Sequence, residues 1–235
     1  KMPGNEINVV KFLIENKDSL HLNHIGLVRR IQNPVPREGL IDIKSAEDVI
    51  PEASGKKADI FINGQGISIK QVGGSFAYNR IQRAGIIDLF VKLGLSDPNN
   101  ATSKLDNLIK IFHSGMITRT RNWSEAFNES DFKLLLKFLM MVGSPNLRES
   151  DFPASYILTA PSSNITTDNI YCDTFDEYFK RYKDKIFISL RRQWVGQSSN
   201  SEHRRALSLV RNVGNAPWVF NDVVGSPRTG WRNES

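Results

Sequence analysis

Lys57 to Lys70 reads KADIFINGQGISIK, and this stretch decides the fold. Two short apolar runs, Ile60-Phe61-Ile62 and Ile67-Ser68-Ile69, flank Asn63-Gly64. Asn-Gly between such runs is the strongest short hairpin signal, because both residues accept the positive φ of a type I′ turn. Side chains alternate along a strand. A turn of Asn63-Gly64 alone sets Asp59 opposite Ser68, and a longer loop from Asn63 to Gly66 sets it opposite Lys70. In either register Asp59, Ser68 and Lys70 share one face, and Ile60, Ile62, Ile67 and Ile69 share the other. The aliphatic face is expected to be core. The other face gathers an acid, a hydroxyl and an amine. A carboxylate can hold a divalent cation and a nearby ammonium can orient a water, which is the chemistry of a hydrolytic centre. A solvated cross-strand Asp–Lys pair is the plainer alternative.

Asp59, followed across the turn by Ser68-Ile69-Lys70, resembles the metal-binding core of the restriction-endonuclease-like (PD-(D/E)xK) nucleases. Two positions depart from that pattern. Ala58 stands where the family has proline, and Ser68 stands where it has a second acid. Family members with serine there carry the displaced acid on the following helix, where this chain offers Gln82 and, further on, Asp88. Another variation adds an upstream glutamate, for which Glu52 is the nearest candidate, with Glu47 and Glu38 as others. The resemblance implies a catalytic set of Asp59, Lys70, Ser68 and Glu52, with Mg²⁺ held by Asp59 and Glu52. It also implies a Type II restriction endonuclease, a homodimer that cuts double-stranded DNA at specific sites and leaves a 5′ phosphate.

Composition sets outer bounds. The 31 basic residues against 25 acidic give a net charge of +6, which permits a nucleic-acid partner. The single cysteine, Cys172, excludes an internal disulfide and a cysteine-based structural zinc site, and it suits a reducing, cytoplasmic interior. No stretch approaches the ~18 uninterrupted apolar residues of a membrane span, and the opening residues carry no signal-like apolar segment. The 235 residues suffice for one compact domain, expected over 1–235. Gly73-Gly74-Ser75 lacks the spacing of a phosphate loop or a dinucleotide fingerprint, so no nucleotide cofactor is expected. The nucleophile-elbow and zinc-protease motifs are absent as well.

The rest of the chain predicts an α/β or α+β fold, a central mixed β-sheet with flanking helices. Ile7, Val10, Leu13 and Ile14 predict an amphipathic helix within 6–20, flanked by His21 and His24. Residues 25–40, interrupted by Pro34 and Pro36, read as loop or extended chain carrying Arg29, Arg30 and Arg37. A turn of helix is expected over 44–50. Ser75 is placed to cap a helix over 76–94, so that 57–90 holds the candidate catalytic hairpin and the helix after it. Residues 95–103 read as a polar loop. Helices are expected over 104–113, 124–142, 173–182 and 203–211. Strands are expected over 155–160 and 185–190, both extending the hairpin's sheet. Residues 214–233 hold Pro217, Trp218, Phe220 and Trp231, more large apolar side chains than a disordered tail carries, and are expected to be ordered but irregular.

Arg80, Arg83, Arg119, Arg121, Arg191, Arg192, Gln193, Arg228 and Arg232 are the candidate DNA contacts, since such side chains donate to phosphates and base edges. Three other readings stand beside the nuclease. One is a non-catalytic DNA-binding protein, another a metal-independent DNA glycosylase or lyase, and the last a structural or partner-binding domain.

Overall fold

The computed structural model describes residues 5–50, 56–73, 81–82, 85–113, 116–191 and 232–234. Its helices are α1 (Glu6–Glu15), α2 (Ile86–Leu93), α3 (Pro98–His113), α4 (Glu129–Lys137) and α5 (Phe175–Tyr182). Its strands are β1 (His21–Leu22), β2 (Gly26–Leu27), β3 (Ile31–Val35), β4 (Gly39–Asp42), β5 (Ile60–Ile62), β6 (Gln65–Gln71), β7 (Ile81–Gln82), β8 (Thr120–Asn122), β9 (Tyr156–Ala160), β10 (Tyr171–Asp173), β11 (Phe187–Arg191) and β12 (Arg232–Glu234). The chain divides into two compact units. The first comprises Lys1–Phe76, Lys137–Ser144 and Arg148–Asp184, and the second Ala77–Leu136, Pro145–Leu147 and Lys185–Ser235.

The first unit is built on a mixed six-stranded sheet in the order β10-β9-β6-β5-β3-β4. All its pairings are antiparallel except β6–β9, which is parallel. The hairpin closes as the shorter loop predicts. Ile62 pairs with Gln65 and Ile60 with Ile67, and Asn63 and Gly64 take φ of 49° and 80°. Asn63 also ties the turn to the preceding chain. Its Oδ1 accepts from the N–H of Arg29 at 2.9 Å and of Arg30 at 3.0 Å, and its Nδ2 donates to Leu27 O at 2.7 Å.

The aliphatic face of the hairpin is core. Ile60, Ile62, Ile67 and Ile69 are buried with Leu158 and Ala160 of β9, under Val9, Val10 and Leu13 of α1. The buried side chain of Asn5, just before α1, donates to Ala160 O at 2.8 Å and so fixes the helix over the sheet. Gly66 is required by close approach rather than by the turn. A Cβ there would strike the carbonyl oxygen of Pro153, whose neighbour Ser155 donates its N–H to Gly66 O at 2.7 Å.

Residues 25–40, expected as loop or extended chain, take the extended form and hold β2, β3 and part of β4. Pro34 is tolerated because it lies past the last β3 residues that pair with β5, so its missing N–H costs no ladder bond on that side. Strand β10 was not foreseen. Strand β9 does extend the hairpin's sheet, and α5 starts after Thr174, whose hydroxyl accepts from Glu177 N at 3.2 Å in a capping box.

The second unit has a four-stranded sheet in the order β7-β12-β11-β8. The strand expected over 185–190 therefore forms, as β11, but pairs with β8 and β12 instead of joining the hairpin's sheet. Ile81–Gln82, expected to be helical, is strand β7, and the helix begins only at Ile86. Helix α3 begins at Pro98 within the expected loop. Asp97 caps it, accepting from Asn100 N at 3.0 Å, and Pro98 fits the first helical position. The expected helix over 124–142 is broken. A 3₁₀ turn at Trp123–Glu125 precedes α4, and the π-helical turn that follows it in the chain, Phe138–Val142, belongs to the first unit. Phe127 and Phe132 gather Phe90 and Trp123 into an aromatic core. Buried Asp131 is satisfied by Ser96 N at 2.9 Å and Ser96 Oγ at 2.8 Å. The helix expected over 203–211 and residues 214–231 of the expected C-terminal segment lie outside the described residues.

Candidate functional site

Asp59 stands one residue before β5. Its N–H donates to Ile67 O at 2.8 Å, and its Oδ2 accepts from Ile69 N at 2.6 Å. A carboxylate accepting a backbone N–H makes a charge-assisted bond, so the side chain is fixed against β6. The ladder ends at Ile60↔Ile67, and Asp59 bonds to the residues on either side of Ser68, which is 1% exposed. Lys70 lies two residues further along β6, on the same face and half-buried. The hairpin thus ties Asp59 to the two residues that flank Ser68, with Lys70 next along β6.

Sequence reasoning missed two further residues. Lys57, before Asp59, is half-buried and donates from Nζ to Leu139 O at 2.8 Å. Burial pushes its ammonium down to about 8, and the charge of Lys70 adds to the shift. The backbone holds this segment in place, since the N–H groups of Lys57 and Ala58 both donate to Phe152 O, at 3.1 and 3.0 Å. Thr159 is the register partner of Lys70 across the parallel β6–β9 pair. Its side chain therefore falls on the same face. It is 2% exposed and its Oγ1 has no hydrogen-bond partner among the described residues. A threonine in the otherwise apolar run YILTA was the one available signal for it.

The other sequence candidates fare unevenly. Glu52, the expected second metal ligand, lies outside the described residues, as do Arg80, Arg83, Arg192, Gln193 and Arg228. The alternative acids are exposed: Glu38 in the β3–β4 turn, Glu47 in a 3₁₀ turn and Asp88 on α2. Among the described residues no group of three His, Cys, Asp or Glu side chains is placed to hold a metal. His24 engages Glu177 at 2.9 Å and stacks on Tyr156.

In the second unit, Arg121 is held by Glu125 through bonds of 2.8 and 2.6 Å, which raises its already high pKa. Arg119 is exposed. Arg191 pairs in register with Arg232, and Arg232 with Gln82, so three residues distant in sequence occupy one row of that sheet. No described helix is long and apolar enough to cross a membrane.

Neither a protein-family model, nor a curated protein, nor a solved structure matches this chain.

Proposed function

We propose that the first unit is a Mg²⁺-dependent endonuclease acting on double-stranded DNA, with its centre on the polar face of the β5–β6 hairpin. The observation that carries this reading is the β5–β6 hairpin, whose aliphatic face lies in the core and which ties the Asp59 carboxylate to Ile69 N, the residue between Ser68 and Lys70. Supporting it, β9 lies parallel to β6 and β5 and β3 lie antiparallel beyond, a strand order consistent with a restriction-endonuclease-like core.

One described carboxylate, Asp59, is available to the proposed ion. Mg²⁺ is ordinarily held by one or two carboxylates together with substrate phosphates, and Asp59 offers one carboxylate fixed by Ile69 N. Glu52 is the proposed second. Held by Asp59 and Glu52, Mg²⁺ would supply Lewis-acid charge at the phosphate and would lower the pKa of a bound water. Lys70 orients the attacking water and steadies the negative charge that develops on the phosphorus oxygens. Ser68, buried and without charge, fills the place of the second acid without competing for the ion as a carboxylate would. Arg119, Arg121, Arg191 and Arg232, with Arg80, Arg83, Arg192, Gln193 and Arg228, are the proposed DNA contacts. The enzyme is proposed to act as a Type II restriction homodimer, since two-fold pairing matches the related backbones of a duplex.

The test is incubation with long unmethylated duplex DNA in Mg²⁺ or in EDTA. Discrete fragments with 5′ phosphates that require Mg²⁺ support the reading. Binding without cleavage favours a non-catalytic DNA-binding protein, the reading suggested by the uncharged Ser68. Strand loss that survives EDTA points to a glycosylase or lyase.

A further inference from the structure

The polar face of the hairpin holds positive charge that Asp59 does not balance. The Lys57 ammonium is half-buried, and its one described bond is to a carbonyl, Leu139 O, which is neutral. An ammonium has three N–H donors, so two remain after that bond. Lys70 makes no described ion pair; it lies three residues past Ile67 as Lys57 lies three before Ile60, the partner of Ile67, and its charge works against that of Lys57. Two like charges partly withdrawn from water are costly, and the cost is relieved by an anion between them. Beneath Lys70 lies the Thr159 hydroxyl, enclosed and without a described partner. A buried hydroxyl left unmatched costs free energy, and its lone pairs can accept from an ammonium beside it.

We propose that Lys57 and Lys70 together form an oxyanion site that takes a non-bridging phosphate oxygen, with Thr159 as the residue that positions Lys70. The assignment of that phosphate to a DNA backbone rests on the nuclease reading; the anion site itself does not. The chemistry recognised is a tetrahedral phosphate oxyanion, from a phosphodiester or as free phosphate. Lys57 binds rather than reacts. Its bond to Leu139 O holds the stem while the remaining donors face the anion. With the anion bound, the Thr159 hydroxyl accepts from Lys70 and fixes its ammonium.

The experiment follows thermal unfolding of the intact chain in inorganic phosphate and in chloride at matched ionic strength, then Mg²⁺-dependent cleavage of duplex DNA. The proteins are the parent, Lys57→Met, Lys70→Met, Thr159→Val and Thr159→Ser. Phosphate is expected to raise the parent's Tm by several degrees. Both methionine variants and Thr159→Val should lose that shift, and Thr159→Ser should keep it. In chloride Lys57→Met should melt no lower than the parent, because it removes a charge the fold holds at a cost. A merely structural lysine would lower Tm there. Duplex DNA added in EDTA should abolish the phosphate shift if the site takes a backbone phosphate, and leave it intact if the ligand is free phosphate. A parent with no phosphate shift, or a Lys57→Met protein that retains it, overturns the proposal. If the parent cleaves DNA and Lys57→Met cleaves equally well, Lys57 has no part in the reaction and the inference falls while the nuclease reading stands. If phosphate binds as described and no cleavage occurs, the oxyanion site stands and the nuclease reading falls.

Discussion

Asn63 does more than turn the chain. Its positive φ suits a type I′ turn, and its amide uses both an acceptor and a donor, binding Arg29 N, Arg30 N and Leu27 O. Aspartate would tolerate the φ but lacks the donor. Asn63→Ala loses all three bonds and places a Cβ in the left-handed region, so it should cost about 3 kcal/mol in urea unfolding. A cost below about 1 kcal/mol would show that these bonds are replaced by water. Cys172 makes a second case. It is 2% exposed, and burial pushes its thiol up to about 12. Reaction with a thiol reagent at neutral pH should therefore wait for unfolding, at a rate that rises with urea. Fast reaction with the native protein would contradict its placement in the core.

Gly64 and Gly66, two residues apart on one hairpin, are glycine for different reasons. A Cβ on Gly64 meets nothing within 4 Å, but its φ is 80°; one on Gly66 meets the backbone of Pro153. Gly64→Ala should thus cost about 1 kcal/mol and Gly66→Ala about 3 kcal/mol, because the backbone on β9's approach cannot give way. Equal costs in denaturant unfolding would remove Gly66 from the list of contacts that seat β9. The seam between the β1–β2 segment and α5 has a pH dependence of its own. The hydrogen bond from His24 holds the Glu177 carboxyl below its usual range, with Thr174 N adding to the effect. A depressed carboxylate lends stability above its unfolded pKa and loses it as pH falls through the folded value. The parent should exceed His24→Ala in Tm at pH 6, and the two should converge as pH falls below 4.5. These elements also mark how far the sequence could be read. Asn63-Gly64 and the alternating isoleucines made the hairpin, its register and its two faces legible, because turn type and period act locally. Pro34 left 25–40 open between loop and extended chain, and β3 tolerates it because pairing with β5 stops at Gln32. Helix α3 was hidden because Asp97-Pro98 reads equally as a turn or as a cap and first helical residue.

At the scale of the whole chain, the two units share one sequence pattern of short strands and amphipathic helices, and pattern alone does not say which sheet a strand joins. This is why 155–160 was placed correctly and 185–190 was not. A parallel strand such as β9 and an antiparallel one such as β11 look alike as apolar runs. The same limit applies to the site. The hairpin that carries Asp59 and Lys70 was legible because its turn and its alternation are local. Lys57 and Thr159 were not, since one is held by Leu139 and the other by strand pairing across a long separation in sequence.

The central claim is that this hairpin's polar face is a reaction centre. Its most direct test is the single-turnover cleavage rate of duplex DNA in Mg²⁺ by the parent and by Asp59→Asn, read beside their thermal unfolding. Asparagine keeps an acceptor for Ile69 N and removes the charge. The account predicts a Tm within a few degrees of the parent and a rate lowered at least ~100-fold, the loss of a charged ligand at the phosphate. An Asp59→Asn protein that folds and cuts at the parent's rate would contradict it.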